Sequence, residues 1–239
     1  CFCVFSSDKV TGLRRTPAPL SLFYVVSITA LQIIDLARYA AIIAISVLFS
    51  RMSGKSDAFY QFERMMLLFG VCSFAGSWAL VNYFNTTYRQ FSAHKAEVLG
   101  RTLLMGGVLG GVVALLLLLL QWEADASTCL FAFYAFCAVL ALPMEYVLLN
   151  HGRTAEALCF GVGSAIFQVV LVGVALLTHE LWCVSGALAL WGLARLCLWW
   201  RMRSYIQWSV GGLRPALMKW LQLAAGNFVM GSTAYVTAF

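Results

Sequence analysis

The sequence predicts an all-α protein that crosses a membrane several times. Three observations carry that reading. Hydrophobic residues make up 62% of the 239 residues and charged residues only 11%, with a mean hydropathy of +0.85; ordinary soluble domains hold roughly 45–50% apolar and about 25% charged residues. Apolar runs recur at about the 20-residue length that a helix needs to cross the hydrocarbon core of a bilayer. Lys and Arg gather in alternate connections between those runs. A soluble enzyme, a disulfide-stapled secreted module and a disordered tail are excluded by this composition. With 4 Pro and 19 Gly, so are collagen-like and Pro-rich architectures.

Seven spans are expected in order. The first lies within Leu22–Ser50 and the second at Leu67–Phe84, with an alternative start near Phe59. The third is Thr102–Trp122, around the run Leu115–Leu120. The fourth is Thr128–Leu149, the fifth Ala155–Leu177 and the sixth Leu181–Trp200. The seventh begins near Met218. This gives a cytoplasmic N-terminal segment over 1–21, a six-helix unit over 22–200, a cytoplasmic linker over 201–217 and a seventh helix over 218–239. A signal peptide is not expected, because Leu22–Ser50 is too long for an h-region and further spans follow. The chain opens on Cys1 and closes at Phe239 inside an apolar run, so it is expected to be a fragment of a longer protein.

The loop charges set the orientation. Lys9, Arg14 and Arg15 precede span one; Arg89, Lys95 and Arg101 follow span two. Arg153 follows span four, and Arg201, Arg203, Arg214 and Lys219 follow span six. These segments share one side. The other side holds Arg51, Lys55 and Arg64, with Glu123, Asp125 and Glu180 in its two short loops. The positive-inside rule therefore places the N-terminus in the cytoplasm. The net charge of +6 belongs to this pattern, not to a nucleic-acid partner. Trp122, Trp182, Trp199, Trp200 and Trp220 stand near span ends, as in interfacial aromatic belts.

Ionisable residues inside spans cost about 2.5–3.5 kcal/mol each on insertion scales, so each needs a reason. Asp35 and Arg38 share a helix face three residues apart; they read equally as the frayed start of span one or as the lining of a cavity. Glu145 follows Pro143, which removes a backbone hydrogen bond and kinks span four. Arg195 near the end of span six reads first as snorkelling to the interface. Arg153 and Glu156 flank the entry to span five. Together the six residues are expected at similar depth, at the mouth of a water-accessible cavity. Gln168 is the mid-span polar residue of span five, and Asn227 holds a similar place in span seven. Each reads as an interhelical bridge or as a contact to a polar ligand.

Gly106, Gly107, Gly110 and Gly111 form two overlapping G-x-x-x-G pairs, and Gly161, Gly163 and Ser164 form a small-residue patch; packing is the expected reason. Asn85-Thr86-Thr87 matches a glycosylation sequon but falls on the cytoplasmic side, so it reads as chance. No structural disulfide is expected from the 8 Cys, which fall mostly in apolar runs. There is no P-loop, no H-E-x-x-H, no G-x-S-x-G and no clustered metal-ligand set, so an enzyme is the weaker class and no metal or cofactor is expected.

Three tracts carry a family resemblance. Leu48–Tyr60 resembles the junction between the first two helices of polysaccharide flippases. Ala141–Arg153 is similar to the end of their fourth helix, with a proline, an aromatic and a basic residue in that order. Leu213–Phe239 resembles the approach to their seventh helix. The chain thus resembles the Wzx-type lipid-linked oligosaccharide flippases of the multidrug/oligosaccharidyl-lipid/polysaccharide exporter superfamily. Phe59-Tyr60 and Ser53 depart from the common pattern.

The resemblance implies the six-helix N-terminal lobe of a two-lobe, MATE-like transporter plus the start of a seventh helix, the C-terminal lobe being missing. It implies a place in a bacterial cytoplasmic (inner) membrane. The implied activity is flipping a lipid-diphosphate-linked oligosaccharide by alternating access, for O-antigen or exopolysaccharide synthesis. On this reading Arg38, Arg153 and Arg195 attract the diphosphate, and Asp35, Glu145 and Glu156 hold these arginines apart or couple to H⁺ or Na⁺. Gln168 and Asn227 meet sugar hydroxyls. Rival classes are a cation-coupled drug or metabolite antiporter of the same superfamily, a membrane-embedded glycan or lipid enzyme, and a seven-helix scaffold, for which an outside N-terminus would be expected.

Overall fold

The computed structural model describes residues 20–53, 57–90, 94–121, 125–178, 180–208 and 211–237. Among them there are helices and turns and no strand. The helices are α1 (Leu20–Ser53), α2 (Asp57–Gln90), α3 (Lys95–Leu120), α4 (Ala126–Leu140), α5 (Met144–Asn150), α6 (Thr154–Leu176), α7 (Leu181–Arg201) and α8 (Leu213–Thr237), with a 3₁₀ turn at Arg203–Tyr205. Five segments are long and apolar enough to cross a membrane: Val26–Met52, Asp57–Tyr88, Lys95–Leu120, Ala126–Asn150 and Thr154–Leu176. Such a set is the make-up of a multi-pass membrane protein. The apolar stretch described in α7, Leu181–Cys197, is shorter than these five. Lys9, Arg14, Arg15, Lys55, Trp122, Glu123 and His179 lie outside the described residues.

Several boundaries differ from the sequence reading. Helix α2 begins at Asp57, ten residues before Leu67 and two before the alternative start at Phe59, and α3 at Lys95 instead of Thr102. Hydropathy detects only the lipid-facing middle, whereas backbone hydrogen bonds carry a helix on through its polar ends. Glu97 and Arg101 pair one turn apart at 2.9 Å and support α3's early start. Helix α8 begins at Leu213, so the last five residues of the expected linker 201–217 are helical. Span four is two helices. Pro143 lacks an N–H, and Leu142 N bonds Val139 O at 3.3 Å while Met144 N bonds Ala141 O at 3.2 Å, so the turn tightens before α5 starts.

The packing order is α1 on α6, α6 on α7, α7 on α4, α4 on α3, α3 on α2 and α2 on α8. α1 and α2 meet near their shared turn, where Phe49 packs edge-on against Phe59 and Phe62 at 5.9 and 5.1 Å between ring centroids. Connections expected on the basic side do cluster at one end. Gln207 N bonds Ala96 O at 3.0 Å, and the Tyr88 hydroxyl lies 3.3 Å from His151 Nε2, whose ring stands 4.9 Å from that of Tyr205. At the opposite end, Arg64 donates to Leu120 O at 3.3 Å.

In lipid there is little hydrophobic drive between helices, so close packing holds them. Glycines mark where. A Cβ on Gly161 would stand 2.6 Å from Ile34 Cγ1, and one on Gly192 2.8 Å from Cys137 Cβ. Gly110 lies against the Phe136 carbonyl and Gly106 against Leu80, whereas Gly107, Gly111 and Gly163 meet nothing within 4 Å. Only one of the two G-x-x-x-G pairs is therefore a contact, because the other lies a helical step around α3. Large apolar side chains face outward along the spans, Leu36, Val71 and Leu119 among them. Trp182 and Trp200 are exposed near helix ends. Trp199 and Trp220 are buried, and Trp220 donates from its indole to Gly76 O at 3.1 Å, tying α8 to α2. These two belong to the core and not to an interfacial belt.

The sequon sits inside α2, where Thr86 donates to Asn82 O and Thr87 is buried. The six described cysteines are free thiols.

Asp125 caps α4, its Oδ1 accepting from Thr128 N at 2.8 Å. Partial burial opposes its charge, but hydrogen bonds from Thr128, Gln61 and Ser127 outweigh that and hold its carboxyl below the usual range. Asp125→Ala is expected to cost about 1 kcal/mol, the usual worth of such a cap. The cap's contribution is complete above the unfolded-state pKa of an aspartate. It is lost as pH falls through the lower folded value. Unfolding of the two proteins in detergent micelles, compared across that acid range, checks both points.

Candidate functional site

Helix α5 is seven residues long and starts beside the Pro143 turn, which redirects the chain so that Glu145, in the first turn of α5, points into the bundle. Glu145 is fully buried. Its Oε1 accepts from two guanidinium groups on different helices: Arg38 of α1, and Arg195 of α7 at 2.6 Å. Arg38 Nη1 also lies 3.5 Å from Asp35 Oδ1 on α1. The side-chain exposures run from 1% at Glu145 and 5% at Arg195 to 22% at Arg38 and 49% at Asp35. The four charges thus form a row leading outward from the bundle interior along α1.

Aromatic rings hold Arg195. Its guanidinium carbon stands 5.0 Å from the Trp191 ring centroid and 5.4 Å from that of Phe160. Trp191, one turn earlier on α7, donates from its indole to Ser164 O on α6 at 2.7 Å and packs 5.8 Å from Tyr134 of α4. Tyr134 is an electrostatic neighbour of both arginines and pairs with the side chain of Gln168. The polar interior therefore draws on α1, α4, α5, α6 and α7.

The structure brings together Asp35, Arg38, Glu145 and Arg195, and joins Gln168 to them through Tyr134. Arg195 does not snorkel; it is buried inside the bundle, because an anion awaits it there. Arg153 and Glu156 are not part of the group. They close on each other at 2.5 and 2.6 Å in a two-pronged pair at the start of α6, each about a third exposed. Their i,i+3 spacing satisfies both locally. The expected mouth of a cavity lined by six charges is instead a packed row of four. Asn227 lies on α8, and its side chain lies outside the described residues. Tyr134 and Trp191 were missed, since aromatic residues in an apolar run carry no signal of polar contact. Only the four-residue step from Trp191 to Arg195 could have shown that they share a face.

The hydrogen bonding is incomplete in a particular way. Arg38 Nε, Arg195 Nε and Glu145 Oε2 are buried and bond to no protein atom. Two cations face one fully buried anion, and the balancing Asp35 is half exposed. The inner group thus carries an excess of positive charge in a low-dielectric setting, where any charge attracts its opposite strongly. Chemically, the arrangement can hold an anion beside Arg38, or exchange one carboxylate partner for another.

Among the described residues, no group of three His, Cys, Asp or Glu side chains gathers as a metal site would require. No family model, curated protein or solved structure matches the chain.

Proposed function

We propose that this protein is a membrane transporter of the flippase kind, moving an amphiphile with an anionic, diphosphate-bearing headgroup. The observation that carries the reading is the row Asp35–Arg38–Glu145–Arg195, which sets two arginines around one carboxylate inside a bundle of membrane-length helices. Ionisable groups in such a place are costly and are retained where they serve a pathway. Arginine suits phosphate because its planar fork donates two parallel hydrogen bonds. On this reading Arg38, the partly exposed cation, meets the headgroup first, and Glu145 keeps the two arginines in place between transport events. The described helices then act as one lobe rocking against another, with the N-terminus cytoplasmic, and Gln168 with Tyr134 offers hydrogen bonds to sugar hydroxyls.

The test is translocation of a fluorescent polyprenyl-diphosphate saccharide in proteoliposomes that hold the full-length protein. Arg38→Gln is expected to lower the rate at least about tenfold, the loss of one charge-assisted hydrogen bond, at equal membrane insertion. Arg38→Lys should recover part of it. A rate unchanged in Arg38→Gln overturns the role of the row, and absence of translocation by the wild type overturns the cargo.

Asp35 favours a second reading, a cation-coupled antiporter. It is the carboxylate of the row that stays half exposed, where H⁺ or Na⁺ can reach it. The same proteoliposomes separate the two readings. An antiporter would show uptake driven by an H⁺ or Na⁺ gradient and lost in Asp35→Asn.

A further inference from the structure

A second polar site lies away from the row, at the basic end of the bundle. The last turns of α2, the first two turns of α3 and the first two turns of α8 enclose a groove of about 470 Å³. Tyr83 and Thr87 form its inner wall, and His94, Glu97, Arg101 and Lys219 line its rim. Glu97, the one acidic residue of this lining, is already engaged, 2.9 Å from Arg101 and 3.4 Å from His94. Lys219 therefore adds a cation that no lining carboxylate is left to balance. Arg101 is three-quarters covered, and its Nε is buried without a hydrogen-bond partner.

The backbone makes room for the guanidinium. Gly212 has φ +76°, and a Cβ there would stand 3.3 Å from Arg101 Cζ. A side chain at 212 would be strained by the backbone and would crowd the guanidinium. Gly212 directly precedes α8, so the first amides of that helix add to the positive field at the groove. Arg101 immediately precedes the apolar run of α3, and on α8 the exposed Met218 and Leu221 form an apolar strip on the face next to that of Lys219, outside the groove itself.

We propose that this groove binds the phosphate of an acidic lipid headgroup, with Arg101 and Lys219 as its cationic ligands and the Thr87 and Tyr83 hydroxyls behind them. The volume exceeds what a carboxylate fills. A forked guanidinium beside a point-charge ammonium is the pairing that phosphate takes. Met218, exposed one step round α8 from Lys219, begins an apolar surface outside the groove for the acyl chains to lie on. The assignment does not depend on what the protein transports.

The test uses the whole chain in nanodiscs of phosphatidylcholine alone or with phosphatidic acid, released into detergent and weighed by native mass spectrometry. Phosphatidic acid should stay bound in preference to phosphatidylcholine. Lys219→Gln should weaken retention at least about tenfold, the worth of one charge-assisted hydrogen bond. Lys219 is exposed, so its replacement leaves the packing intact, and Lys219→Arg should restore binding. Inorganic phosphate added before release separates the sources. Weak competition marks a lipid site, and full displacement at equal affinity marks a site for phosphate alone, which overturns the lipid assignment. Equal retention of the two lipids, or phosphatidic acid held by Lys219→Gln as by the wild type, overturns the proposal.

Discussion

Glu145→Ala is expected to destabilise the bundle by about 3–5 kcal/mol, the range found when one partner of a buried ion pair is removed. The reason is what remains behind. Arg38 and Arg195 both spend a hydrogen bond on Glu145 Oε1, and Arg195 has no other carboxylate partner in the described structure. Without Glu145 two cations face each other across a covered space. Arg38 has a way out, since it is partly exposed and keeps Asp35; Arg195 is locked between Trp191 and Phe160. The double variant Glu145→Leu/Arg195→Met should therefore recover much of the loss, because well-packed apolar groups often replace a buried ion pair at little cost. The surface pair sets the contrast. Removing Glu156 from its two-pronged contact with Arg153 should cost about 0–1 kcal/mol, since water screens and replaces that partner. Denaturant unfolding in mixed micelles, followed by tryptophan fluorescence, measures all three. A Glu145→Ala variant as stable as Glu156→Ala would mean that the row does not hold the bundle together.

The apolar middles of the helices, the break at Pro143 and the identity of the interior charges were legible in the sequence because each depends on local chemistry. Hydropathy needs only neighbours in the chain, and a proline removes its N–H wherever it stands. The start of α2 was legible only as the alternative near Phe59, because Glu63 and Arg64 dilute the hydropathy of its first turns. Asp57 in that first turn is the local helix-start signal, an acidic residue where the helix amides are unpaired. Helix rotation decided the site and is invisible to composition. Arg38 and Glu145 are 107 residues apart, and nothing in either helix alone says that they face each other. Arg153 and Glu156 teach the opposite lesson. Their spacing already offered a local pair, and a local partner satisfied at no cost in chain entropy outcompetes a distant one.

Gly161→Ala gives the second large effect, and it reaches the site through packing alone. The added methyl would stand 2.6 Å from Ile34 Cγ1 and 2.7 Å from its Cγ2, where Ile34 is fully buried on α1. A β-branched side chain inside a helix has one strongly preferred rotamer, so Ile34 cannot turn aside cheaply. The helices must then separate, at a cost of about 1–3 kcal/mol for overpacking. Alanine's better helix propensity returns at most about 1 kcal/mol of this. Gly163→Ala is the matched control, since nothing lies within 4 Å of a Cβ there, and it should be neutral or mildly stabilising. Ile34 precedes Arg38 by one helical turn, so pushing α1 off α6 also draws Arg38 away from Glu145. Gly161→Ala should therefore weaken the coupling between Arg38 and Glu145 in a double-mutant cycle, while Ile34→Ala in the same background should restore it by making room for the methyl. Full coupling retained in Gly161→Ala would mean that the close approach of α1 and α6 does not set the position of Arg38.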